Sequence, residues 1–136
     1  MKKLVIYYSY SGNTKAIAQE LAAKESADIA EIKDKKRPGK IKAYTAGIVS
    51  SILGKAWKIQ PLTVDLAVYD HLIMLAPVWA GNPAPAFNSV FEKLPEGKVI
   101  TLKMVSMSGK SDCKARLESK IKAKNCALEN FEDIKV

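Results

Sequence analysis

Three features of the sequence predict an α/β fold in three layers, a parallel sheet with helices on both faces. The run "LVIYY" (4–8) is short and rich in β-branched and aromatic residues, and "HLIMLAP" (71–77) is short and apolar, as strands buried on both faces are. Segments of helical period lie between the apolar runs. Residues that turn chains and start helices follow each run, in "SYSGNT", "PVWAGNPAP" and "SMSGKSD". Such alternation requires right-handed crossovers and hence parallel strands. At 136 residues and 48% hydrophobic, without internal repeats, the chain reads as one domain over 1–136.

Taken in order, "LVIYY" is the first strand and "TKAIAQELAAKE" (14–25) a helix, with Ile17, Leu21 and the alanines at helical spacing. "ADIAEIK" (27–33) alternates and reads as the second strand. The charged loop "KDKKRPGK" (33–40) precedes a long amphipathic helix up to Trp57, in which Ile41, Tyr44, Ile48 and Ile52 form the apolar stripe. "HLIMLAP" is the third strand, and "APAFNSVFEKL" (84–94) a helix opened by Pro83 and Pro85, with Phe87, Val90, Phe91 and Leu94 on one face. "KVITLKMVSMSG" (98–109) is the fourth strand. "SDCKARLESKIKAK" (111–124) is a lysine-rich helix with Cys113, Leu117 and Ile121 as its stripe. "CALENFEDIKV" reads as a short fifth strand.

Composition narrows the function classes. No apolar run approaches the roughly 20 residues needed to cross a bilayer, so a soluble, cytoplasmic protein without membrane insertion is expected. Cys113 and Cys126 have no metal-ligand spacing, and His71 is the lone histidine, which argues against a zinc site or a disulfide scaffold. The net charge of +8 favours acidic partners. It does not by itself indicate nucleic acid, because no aromatic–basic interleaving or nucleic-acid module accompanies it.

Ligands of such sheets sit outside the carboxyl ends of the strands, which directs attention to the three loops. The first offers hydroxyls from Ser9, Ser11 and Thr14, the Asn13 amide, and backbone N–H groups at the positive end of a helix. Gly12 permits close backbone approach or a conformation closed to other residues. This is a phosphate cradle, or it is ordinary turn and N-cap chemistry; the loop alone does not decide. With no lysine inside it, and with neither GxxxxGK[ST] nor GxGxxG, it is not a nucleotide-hydrolase or dinucleotide loop. The second loop sets Trp79 after a buried strand beside Gly81 and Asn82, either as a stacking platform or as cover for the sheet edge. The third, Ser106-Met107-Ser108-Gly109, is small and can hydrogen-bond the polar edge of a ring. Together they suit a phosphorylated, flat, heteroaromatic cofactor, and flavin mononucleotide (FMN) fits best.

The stretch "LVIYYSYSGNTKAIA" resembles the opening strand, phosphate loop and first helix of flavodoxins, whose loop pattern is [TS]-x-[TS]-G-N-T. "YDHLIMLAPVWAGNPAPAF" (69–87) is similar to that family's third strand and flavin-stacking loop. The resemblance implies a five-stranded parallel sheet in order 2-1-3-4-5 with FMN held noncovalently. Ser9, Ser11, Asn13 and Thr14 would give side-chain contacts to the phosphate, and Tyr10 and Gly12 backbone N–H groups. Trp79 would flank the ring, with the backbone of Pro77, Val78, Ala80, Gly81 and the adjoining Asn82, and of Met107, Ser108 and Gly109, at its polar edges.

Three departures from that family bear on function. The chain is basic where flavodoxins are usually acidic, so its redox partner proteins are expected to differ, acidic ones included. The third loop has no Tyr or Trp for the second face of the ring, leaving Met107 or solvent. The sequence ends where the family's last helix would begin, so one sheet face is expected to be thinly covered unless a homodimer covers it. The function implied is electron transfer. The alternatives are a small FMN-dependent NAD(P)H reductase acting on quinone, flavin or iron, and a cofactor-free binding module of the same fold. His71 is expected to cap or solvate the far edge of the sheet, Trp57 to pack, Cys113 to join its helix's buried stripe, and Asp112 to start that helix.

Overall fold

The computed structural model describes residues 1–136. Its strands are β1 (Lys3–Tyr7), β2 (Asp28–Glu31), β3 (His71–Trp79), β4 (Asn82–Pro83), β5 (Val99–Ser106) and β6 (Ala127–Lys135). Its helices are α1 (Asn13–Glu25), α2 (Lys40–Lys42), α3 (Ile48–Leu53), α4 (Pro85–Glu92) and α5 (Lys114–Ala123), with a π-helical stretch, Ala43–Gly47, joining α2 to α3. The sheet order is β2-β1-β3-β5-β6, all parallel, with β4 paired antiparallel to the end of β3. Leaving out the two-residue β4, this is the expected order 2-1-3-4-5.

The two faces of the sheet are unequal. On one, α4 and α5 press Phe87, Val90, Phe91, Leu117 and Ile121 against Leu4, Leu72, Met74 and Leu102, in a cluster of 23 buried residues. On the other, α1 alone covers Val5, Tyr7, Ile73 and Leu75, using the small side chains Ala18 and Ala22, in a cluster of 6. Each fully buried large aliphatic or aromatic side chain contributes roughly 1.5–3 kcal/mol, so the α4/α5 side carries most of the fold's stability. Helix α4 is buried on almost every side, from Pro85 to Phe91, and Pro85 opens it at a position where a missing N–H costs nothing.

Beyond α1 the second face, across β5 and β6, carries no helix, as expected. Polar side chains share it with Val99. Lys103 Nζ lies 2.6 Å from Glu132 Oε1, and Thr101, Asn130 and Glu129 share the same region. Both cysteines are free and buried, and burial pushes the Cys113 thiol up.

Several elements depart from expectation. Strand β3 runs through Pro77 and Val78 to Trp79 and turns back into β4, so these residues end a strand and do not belong to an open loop. β6 is nine residues long, an edge strand whose outer row of polar side chains is solvated. The long amphipathic helix is shorter and interrupted, ending at Gly54, and its orientation is inverted. Ile41, Tyr44 and Ile52 point outward, at 82%, 78% and 54% exposure, while Gly47 and Ser51 face the protein.

Candidate functional site

The first loop closes on itself through Ser9, whose Oγ accepts the Gly12 N–H at 3.1 Å. Gly12 adopts φ +105°, a conformation costly for any residue with a Cβ, and open space surrounds the position where that Cβ would stand. Helix α1 then begins without a side-chain cap. Its first intrahelical bond runs from the Ala16 N–H to the Gly12 carbonyl, and the amides of Asn13, Thr14 and Lys15 find no acceptor in the chain. Three adjacent N–H groups at the positive end of a 13-residue helix fit an anion. Ser11, Gly12 and Asn13 are exposed at this rim, whereas Thr14 is buried beneath it.

Trp79, at the end of β3, is half-buried and meets Tyr8, Tyr10 and Trp57 edge-on, with ring centroids 6.4, 5.7 and 6.4 Å away. The helical segment 40–53 lies across it. A Cβ at Gly47 would come within 2.7 Å of Trp79 Cζ3, so only glycine permits that approach. Ser51 Oγ donates to the Pro83 carbonyl at 3.0 Å, and Trp57 Nε1 donates to Ser50 Oγ at 3.1 Å, which tie the same segment down. Trp57 therefore packs, as expected.

Beside Trp79 opens an apolar pocket of about 490 Å³, walled by Tyr10, Val78, Trp79 and Ala80 and, on the other side, by Tyr44 and Ile48. Its size is that of an ordinary small-molecule site. Tyr44, Ile48, Ala43 and Lys40 are functional candidates where the sequence pattern predicts buried packing or a loop. Tyr44 supplies an aromatic wall that the third loop lacks.

Of the expected contacts, Tyr10, Val78, Trp79 and Ala80 meet at this pocket, next to the loop 9–14. Pro77 does not offer its carbonyl, which accepts the Ala84 N–H at 3.1 Å within the hairpin. Asn82 spends its side-chain amide on the Ala80 carbonyl at 3.3 Å. The third loop is organised around Ser106, whose Oγ accepts the Gly109 N–H at 2.9 Å, while Met107 is 82% exposed. Met107, Ser108 and Gly109 do not line the pocket. The loop is nevertheless fixed to the second, because the Asp112 N–H donates to the Gly81 carbonyl at 2.7 Å. Asp112 thus anchors a loop; the helix starts after Cys113 and takes no side-chain cap.

No protein-family model matches the chain, and no curated protein matches it. Solved structures do. The crystal structure of a flavoprotein in complex with FMN from Lactobacillus acidophilus NCFM aligns at a TM-score of 0.78 and 20% identity, covering 96% of this chain and 91% of that one. Oxidised flavodoxin 2 from Bacillus cereus aligns at 0.60 and 17% identity over 100% and 85%. A flavodoxin from Streptococcus pneumonia TIGR4 aligns at 0.59 and 16% over 100% and 87%. The chain has the flavodoxin-like fold.

In a flavodoxin-like sheet the loops after β1, β3 and β5 lie at the carboxyl edge, and the pocket beside Trp79 is at that edge. A groove of similar volume, about 490 Å³, lies at the other end, between α1 and the open half of the sheet. Its walls include Lys3, Lys24, Glu25, Lys103 and Glu129, which suit water better than a flat apolar ring. His71 sits there but is only 8% exposed. Its Nε2 is 2.8 Å from Thr101 Oγ1 and 3.4 Å from Glu129 Oε2, so it is a hydrogen-bonded interior residue and not a solvated cap.

Under the first loop, Tyr8 Oη donates to Asp34 Oδ2 at 2.5 Å, while Asp34 Oδ1 is buried without a partner. Burial pushes the Asp34 carboxyl up despite this bond, and burial, then the bond to Asp34, pushes the Tyr8 phenol up. With its folded pKa raised, Asp34 favours the folded state while protonated. That contribution is lost as pH rises from about pH 4, the unfolded value, through the folded one. Asp34→Asn, which keeps an oxygen for Tyr8, should therefore gain stability relative to the native chain across that window. Melting curves whose difference is flat across it would contradict this origin.

Proposed function

We propose that the protein is a flavoprotein that binds FMN noncovalently and carries electrons between partner proteins. The observation that carries this reading is the adjacency of two unlike features at one sheet edge. The loop 9–14 offers three unpaired amides, and the neighbouring pocket is apolar and aromatic. A phosphorylated planar molecule needs both. The similarity to a flavoprotein in complex with FMN supports the choice of flavin.

The amides of Asn13, Thr14 and Lys15, backed by the α1 dipole, would hold the phosphate, with Ser11 and Asn13 side chains at its rim. Trp79 and Tyr44 would bound the ring and exclude water from it, and the tie between Asp112 and Gly81 keeps the second loop still against the third. When bound, FMN supplies the redox chemistry, and the chain positions it and sets its electrostatic surroundings. Lys40 is at the pocket, and the nearby chain is strongly basic, which favours the negatively charged reduced flavin. Lys40→Gln should accordingly lower the midpoint potential of the loaded protein in a redox titration; an unchanged or higher potential would remove Lys40 from that role.

The second reading, an FMN-dependent NAD(P)H reductase, is favoured by the exposure of the pocket's walls, where Tyr44 and Ala80 face solvent. Steady-state NAD(P)H oxidation by the FMN-loaded protein alone separates the two. A carrier shows almost none until a partner reductase is added, and rapid turnover with quinone or free flavin identifies the enzyme.

A further inference from the structure

The segment Lys40–Leu53 is an amphipathic helix turned inside out. Its small residues face the protein: Gly47 is pressed on Trp79, and Ser51 is fully buried and bonded to the Pro83 carbonyl. Its large ones face away. Ile41, Tyr44, Val49, Ile52 and Leu53 are 54–82% exposed, and they make up five of the ten exposed large hydrophobic side chains of the whole chain. Concentration of that kind marks a contact surface and not scattered surface apolarity. Along the chain its flanking charge has one sign. From Lys35 to Lys58 there are seven lysines or arginines, all exposed, and no Asp or Glu lies between Asp34 and Asp65.

We propose that this face docks the protein on an anionic bilayer, with the helical segment lying in the headgroup plane. Charge complementarity selects the occupant. A second copy would bring these seven exposed cations toward the same seven on its partner. An acidic protein would match the charge, but protein contacts centre on Trp, Tyr and Arg and are depleted in Lys. Here the face is aliphatic and its surroundings mostly lysine, the composition of interfacial helices drawn to anionic lipid. No helix is long and apolar enough to cross a membrane, so the contact is peripheral. Tyr44 and Lys40 belong both to this face and to the wall of the pocket, so docking sets the pocket's mouth beside the lipid. The proposal does not depend on FMN being bound.

The test is co-sedimentation of the full chain with vesicles of phosphatidylcholine, alone or mixed with phosphatidylglycerol, at low and high salt. Binding to the mixed vesicles, absent on phosphatidylcholine and weakened by salt, is the expected result. The double substitution Ile52→Ser and Leu53→Ser should lower partitioning about tenfold or more, with unchanged circular dichroism and FMN affinity. Neither residue lines the pocket. Three outcomes overturn the proposal: no binding to the mixed vesicles at low salt, equal binding by the variant, or a dimer in sedimentation velocity that the variant abolishes, which would assign the face to a second copy. FMN titration of the same samples reads the cofactor site separately, so vesicle binding without flavin uptake would refute only the functional reading above.

Discussion

Trp79→Ala should weaken the fold and the cofactor site together. The side chain removed holds Tyr8, Tyr10 and Trp57 edge-on and receives Gly47 of the overlying helix. Truncating a large aromatic among such partners costs about 2–4 kcal/mol for a half-buried ring, or about 10 °C in melting temperature for a domain of this size. Loss of the stacking wall should lower FMN affinity about tenfold to a hundredfold. Trp79→Phe, which keeps a ring against Gly47, should recover most of the stability. Melting curves and FMN titrations of both variants check this, and an alanine variant that binds FMN as tightly as the native chain would remove Trp79 from the site.

Gly12→Val should damage the site more selectively. A β-branched residue at φ +105° costs about 1–3 kcal/mol of local strain, but no atom stands where its Cβ would go, so nothing else must move. The loop can relieve the strain only by rotating its backbone, which withdraws the adjoining amides from their common target. Charge-assisted bonds of that kind contribute about 1.5–3 kcal/mol each. FMN affinity should therefore fall about tenfold to a hundredfold, while riboflavin, which has no phosphate, should bind the variant and the native chain alike. Equal losses for both ligands would mean that the loop does not serve the phosphate.

The parts of this site legible in the sequence are those with local causes. "LVIYY" followed by "SYSGNT" reads correctly as strand, turn and helix start because burial pattern and turn chemistry agree within a dozen residues. Phe87, Val90 and Phe91, and likewise Cys113, Leu117 and Ile121, mark their helices' buried faces because the stripe is the only apolar side available. The segment 40–53 misleads because periodicity shows that a stripe exists and not which way it faces. The signal that could have corrected it is Gly47 and Ser51, four residues apart and small enough to admit the Trp79 ring and a bond to Pro83. Reading them as the inner face would have put Tyr44 beside the pocket. The end of β3 was obscured by Pro77, which punctuates a sequence like a strand terminus yet here sits inside the hairpin that carries Trp79. The length of β6 was obscured by Glu129, Glu132 and Asp133. Their partners, His71, Lys103 and Ser111, are distant in sequence.

If one edge of this sheet holds a phosphate and a flat ring at once, a fluorescence titration of FMN with the purified protein will show it. Saturable quenching at one flavin per chain is expected, because the ring would lie against Trp79 and Tyr44, with much weaker binding of riboflavin. FMN emission that stays that of the free flavin as protein is added would contradict it.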